Sequence, residues 1–111
     1  MTFSTLSRRA RRVRALYAKL EQRRGGRPWS GAELAQGFVG DVGDLMKLVM
    51  AKEGRRPARN LDAALAHELA DCLWSVLVLA DTYDVDLEKA FVRTMADLER
   101  KLGRRAAVAA R

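Results

Sequence analysis

The chain has 111 residues, 49% hydrophobic and 32% charged, enough for one domain with a modest core. A single cysteine, Cys72, excludes an internal disulfide framework, and two prolines in a composition rich in Ala, Leu and Arg favour helix. The net charge of +7 is unevenly placed: residues 1–28 carry nine Lys/Arg and one acid, residues 100–111 five and none, residues 29–99 seven and thirteen, so the basic pI argues little for nucleic-acid binding.

Ala10, Val13, Leu16, Tyr17 and Leu20 recur at three- and four-residue steps and predict a first helix from Thr5 to Arg23, its other faces nearly all arginine. Those arginines are read either as a solvated face or as a rim that attracts phosphate. Gly25-Gly26 and Pro28 end the helix. Ser30 and Glu33 then form an S-x-x-E capping box, with Trp29 and Leu34 at the positions of a hydrophobic staple. The second helix carries Leu34, Phe38, Val42, Leu45 and Val49 on one stripe and fades near Lys52–Gly54, before a loop at Arg55-Arg56-Pro57.

Asn60 or Asp62 is expected to cap a third helix reaching Tyr83, with Leu65, Leu69, Cys72, Val76 and Ala80 as its main stripe. Trp74 and Val78 fall on its far side, so the helix is apolar over most of its circumference and calls for neighbours all round. Its longest apolar run, Cys72–Ala80, is short for a membrane span, and the basic amino terminus lacks the apolar core of a secretory signal. A fourth helix is expected from Asp84 or Asp86, with Leu87, Phe91, Met95, Leu98 and Leu102 at helical spacing and Gly103 as its stop.

Two carboxylate pairs with one spacing interrupt this apolar pattern: Asp41-Val-Gly-Asp44 and Glu68-Leu-Ala-Asp71. An (i, i+3) pair lies on one side of a helix, and helices two and three placed antiparallel bring the pairs face to face. Carboxylates so gathered repel one another, and a hard divalent cation relieves the repulsion. The competing reading makes them helix-surface groups paired with Lys47, Arg93 or Arg100. His67 is read as an exposed non-ligand on the opposite side of the third helix, and without Glu-x-x-His on two helices a di-iron bundle is not indicated. Asp81, Asp84, Asp86 and Glu88 lack the glycine and ligand order of an EF-hand.

These residues resemble the MazG-like family of all-α nucleotide pyrophosphohydrolases, whose pattern is E-x-x-E, a spacer, then E-x-x-D. Glu68-Leu-Ala-Asp71 matches the second half literally, followed by Cys72-Leu-Trp-Ser-Val-Leu and the segment from Leu79 to Glu88. Gly43-Asp44-Leu45 stands where the family has Gly-Glu-Leu. The likeness covers residues 29–102, between a basic helical segment at 5–24 and a basic tail at 103–111, all within one domain.

The resemblance implies a four-helix bundle assembled as a dimer or dimer of dimers. It further implies Mg²⁺-dependent cleavage of a nucleoside triphosphate to monophosphate and pyrophosphate, with Mn²⁺ as a substitute. Asp41, Asp44, Glu68 and Asp71 inherit the catalytic and metal-ligand roles. Lys47, Arg100 and Lys101 are candidates for phosphate contact and Trp29 for base stacking. Two departures stand out: the first pair is Asp, not Glu, so each arm is shorter, and Leu98 occupies the family's Asn position. The expected protein is a cytoplasmic nucleotide-pool enzyme without membrane or nucleic-acid partners. The alternatives are a catalytically weakened helical dimer that binds nucleotide or a partner protein, and a basic nucleic-acid-binding module.

Overall fold

The computed structural model describes residues 1–54 and 59–109. Among these there are four α-helices and no strand: α1 (Phe3–Arg23), α2 (Gly31–Lys52), α3 (Leu61–Thr82) and α4 (Leu87–Ala109). The all-α expectation holds, while the Arg55-Arg56-Pro57 loop lies outside the described residues.

Local chemistry sets the helix ends. α1 starts two residues early because Thr2 caps it: Thr2 Oγ1 accepts from the Thr5 amide at 3.2 Å and Thr5 Oγ1 from the Thr2 amide at 3.0 Å. The Ser30–Glu33 box forms at α2, with the Glu33 amide donating to Ser30 Oγ at 3.3 Å and the Ser30 amide to Glu33 Oε1 at 3.0 Å. That backbone bond, together with the Arg27 guanidinium 2.6 Å away, holds the Glu33 carboxyl below its ordinary range. Gly54, at φ +79°, turns the chain out of α2. Neither expected cap of α3 acts as one: Asn60 sits in the left-handed region at φ 48° without a side-chain cap bond, and Asp62 instead pairs with Lys52 at 2.8 Å. At α4 the cap is Asp86, whose Oδ1 accepts from the Lys89 amide at 3.1 Å. Gly103 is no stop, since α4 continues to Ala109; one glycine costs a helix only about 1 kcal/mol.

α3 is the central helix. α2 lies antiparallel to it: Lys52 meets Asp62 at one end, and Leu34 joins Leu77 and Val78 in the core at the other. α1 packs on the side of α3 that carries Trp74 and Val78, where Trp74 Nε1 donates to the Ala10 carbonyl at 3.2 Å. The Tyr17 ring stands edge-on to Trp74, 5.7 Å between centroids. The core thus gathers at the Val78 side (1% exposed) rather than along the expected stripe, of which Leu69 is exposed. α2 is also turned from its expected register. Asp41, Leu45, Leu48 and Ala51 face inward, whereas Val42 and Val49 are exposed. Among the described residues α3 alone is long and apolar enough to cross a membrane by length and composition, a property the shorter run Cys72–Ala80 understates. It carries acids on one face and receives two helices, as a central bundle helix does.

α4 has no buried residue, and Phe91, Leu98 and Leu102 stand open along it. The radius of gyration is accordingly 18.2 Å, against about 13 Å for a compact domain of this length. The accessible surface, 8837 Å², exceeds the roughly 6,100 Å² of a compact monomer of this mass.

Candidate metal and nucleotide site

The Asp41 and Asp44 carboxylates on α2 converge with that of Glu68 on α3. One oxygen of each lies within 4.8 Å of the others. Glu68 also belongs to a second group, with Asp71 and His67, whose ligand atoms are equally close. The shorter aspartate arms still reach, because α2 turns Asp41 inward toward α3. Oε2 of Glu68 is enclosed and has no hydrogen-bond partner. An enclosed carboxylate oxygen without a hydrogen-bond partner, among other carboxylates, suits a hard cation as its counter-charge, so these residues fit a divalent ion.

Protonation of the cluster reports the same strain. Burial, then the charge of Asp71 and that of Asp44, push Asp41 above its ordinary range. Glu68 is pushed up by burial first, then by Asp71, Asp41 and Asp44. Cys72 lies beneath them, and burial followed by the same negative field pushes its thiol up, which leaves it protonated and unreactive at neutral pH.

The raised carboxyls make a prediction for the metal-stripped chain. Both bind protons more tightly folded than unfolded, so their contribution to stability is intact below the ordinary carboxylate range and is lost as pH rises through the raised values. The thermal midpoint should therefore fall more steeply for the native chain than for Asp41→Asn as pH rises above the ordinary carboxylate range. At neutral pH, in chelator, the variant should melt higher than the native chain. Circular dichroism melts read this directly, and parallel pH profiles would disprove the strain.

A cavity of about 320 Å³, the scale of small-molecule sites, opens beside the acids. Tyr17, Trp29 and Trp74 give it aromatic walls, and Asp41 and Asp71 form its acidic end. Arg14 and Glu21 add polar groups from α1, with Arg14 Nη1 donating to Thr82 Oγ1 at 2.8 Å. Trp29 is seated where α2 has no side chain: a Cβ at Gly37 would stand 3.2 Å from its ring.

The expected residues do not all meet here. Asp41, Asp71 and Trp29 line the cavity, with Glu68 and Asp44 in the adjoining carboxylate groups. Lys47 sits 3.9 Å from Asp44, beside the cluster but outside the cavity. Arg100 pairs with Asp97 on its own helix, and neither it nor Lys101 lines the cavity. His67 is exposed, as expected, but is not on the opposite side, for its Nε2 is 3.1 Å from Asp71 Oδ2. Residues four apart on a helix differ by only about 40°. Arg14, Glu21 and Trp74 are cavity residues beyond the expected set; for Arg14 and Glu21 the signal in the sequence is that positions 10, 14, 17 and 21 share one face of α1.

Residues 31–106 match the family model described as the MazG nucleotide pyrophosphohydrolase domain. No curated protein and no solved structure gives a significant match.

Proposed function

The chain belongs to the MazG nucleotide pyrophosphohydrolase family, and we propose on that premise that it cleaves nucleoside triphosphates to monophosphate and pyrophosphate in the cytoplasm, clearing unwanted nucleotides. The observation that carries this reading is the enclosed, unpartnered Glu68 oxygen among converging carboxylates, next to an aromatic cavity. Asp41, Asp44, Glu68 and Asp71 would hold Mg²⁺, or Mn²⁺ in its place. When bound, the cation supplies positive charge that offsets the polyphosphate and makes water a better nucleophile at neutral pH.

The remaining work falls to the chain's own groups. Tyr17, Trp29 and Trp74 enclose an aromatic base and exclude water around it. Arg14, held by Thr82, and Glu21 meet the polar edge of that base. Whichever carboxylate oxygen lies outside the cation's shell would take the proton from water as it attacks one phosphorus of the α–β bridge; that phosphorus loses its bond to the bridging oxygen, and monophosphate and pyrophosphate separate. Lys47, next to Asp44, is the nearest cation of the phosphate candidates. Trp29→Ala should raise KM about tenfold or more while changing kcat little, since stacking one base on an aromatic ring contributes about 1–3 kcal/mol. Steady-state kinetics on the best nucleotide measure this, and an unchanged KM removes Trp29 from the base site.

The active form is a homodimer or a dimer of dimers. Its support is the surface excess over a compact monomer, which is larger than the roughly 1,200–2,000 Å² that a stable interface buries. The α4 stripe supplies part of the apolar area in that excess, with Phe91 and Leu102 both more than half exposed. The function is tested by assaying a panel of NTPs and dNTPs for pyrophosphate release with Mg²⁺ or Mn²⁺. Absence of turnover for every member at high enzyme concentration would reject it.

A further inference from the structure

Glu68 stands between two ligand sets of different chemistry. With Asp41 and Asp44 it offers oxygen alone; with Asp71 it meets an imidazole nitrogen. Nε2 of His67 lies 3.1 Å from Oδ2 of Asp71. Two donors bound to one ion at about 2.1 Å each are separated by roughly 3.0–3.4 Å, in octahedral or tetrahedral geometry respectively. The pair is thus already spaced as neighbouring ligands, and one helix face fixes that spacing through the (i, i+4) relation. Independently, Oε2 of Glu68 is enclosed without a partner.

Ligand type then decides which ion each set prefers. Mg²⁺ keeps to oxygen and to water, whereas imidazole suits Zn²⁺ and the later transition-metal dications, and Mn²⁺, though chiefly an oxygen binder, accepts a nitrogen ligand as well. We propose that His67, Glu68 and Asp71 form a mixed nitrogen–oxygen position that selects a transition-metal dication, beside an all-oxygen position at Asp41, Asp44 and Glu68 that takes Mg²⁺. The inference rests on the reading of the four acids as a cation site; it divides that site in two, gives Asp71 to the mixed position and adds a nitrogen ligand there. Glu68 is the shared residue through which the two positions adjoin.

The chain has one histidine, so isotopic labelling identifies the ligand without any substitution. Mn²⁺ is titrated into the full chain and bound ion is counted by electron paramagnetic resonance, followed by pulsed measurements of nitrogen coupling. A ¹⁴N coupling is expected, converting to ¹⁵N when the protein carries ¹⁵N-histidine. His67→Asn should abolish the coupling and weaken Co²⁺ or Zn²⁺ binding by more than the roughly 10- to 100-fold that loss of an outer partner of a metal brings, while Mg²⁺ binding is retained. Bound Mn²⁺ without histidine coupling would leave the acid site standing and overturn His67 as a ligand, reducing it to an exposed ion-pair partner of Asp71. Failure of the chain to bind Mn²⁺ or Mg²⁺ at all would overturn the cation reading and this proposal with it.

Discussion

Glu68→Gln is expected to abolish pyrophosphate release, with a loss of at least about 10³-fold in kcat/KM, more than the 10- to 100-fold that changing an outer partner of a metal brings. Glu68 is common to both ligand groups, so an amide there removes a negative ligand from each at once. Its neighbours cannot replace it, because Asp41 and Asp44 belong to one group and Asp71 to the other. The same change relieves the apo protein. Burial and three neighbouring carboxylates disfavour the Glu68 anion, so removing its charge should leave the metal-free thermal midpoint unchanged or higher. The two readouts must therefore separate. Activity and the Mg²⁺-induced rise in thermal midpoint disappear together, while chelator-treated protein melts no lower than native. A variant that keeps its activity would remove Glu68 from the site. One that loses activity only because it unfolds would show a lowered apo midpoint.

The second large effect concerns assembly. Leu87, Phe91, Met95, Leu98 and Leu102 fall within an arc of about 80° on α4, and Phe91 is 59% exposed and Leu98 43%. A helix of 23 residues with no buried side chain gains little stability by itself, and in the proposed assembly a second copy covers that arc. Phe91→Asp combined with Leu98→Asp places two carboxylates there. Each apolar anchor at the centre of an interface contributes about 2 kcal/mol or more, so the pair should weaken self-association by about 10³-fold. Analytical ultracentrifugation should find the native chain as a dimer or tetramer at micromolar concentration and the double variant as a monomer with frayed α4. A native chain that sediments as a monomer would reject the assembly.

These tests bear on parts of the molecule that were unequally legible. Helix identity was the clearest. The Ser30–Glu33 box stands as its spacing requires, because a capping box is a local hydrogen-bond pattern between residues three apart. Thr2 and Thr5 form the same kind of box, which the sequence signals less clearly because Thr at the third position is a weaker partner than Glu. Asn60 shows the limit of such rules: its type suits a cap, yet its backbone is left-handed and its side chain makes no cap bond. Gly103 shows another, as a single glycine does not end a helix.

The acids divide the same way. Periodicity assigned Asp41 to the inward side of α2 and set Glu68 and Asp71 about a turn apart, and both placements follow from angles within one helix. The convergence of Asp41, Asp44 and Glu68 within 4.8 Å required α2 and α3 to run antiparallel in one register, set by the packing of Leu34 on Leu77 and Val78 and marked at the other end by the Lys52–Asp62 contact. His67 shares the face of Asp71, as the (i, i+4) spacing of the two residues requires.

The sequence by itself determined that the chain is helical, which residues lie on which face of each helix, and that two carboxylate pairs interrupt apolar stripes. Those properties depend on the 3.6-residue repeat and on short-range hydrogen bonds, and every residue carries them locally. Only the tertiary structure decided that α1 packs on the Trp74 and Val78 side of α3, that Tyr17, Trp29 and Trp74 enclose a cavity against Asp41 and Asp71, and that α4 is left uncovered. A helix apolar over most of its surface offers several faces of similar affinity, and the choice among them is made by side chains distant in sequence that fill the same space.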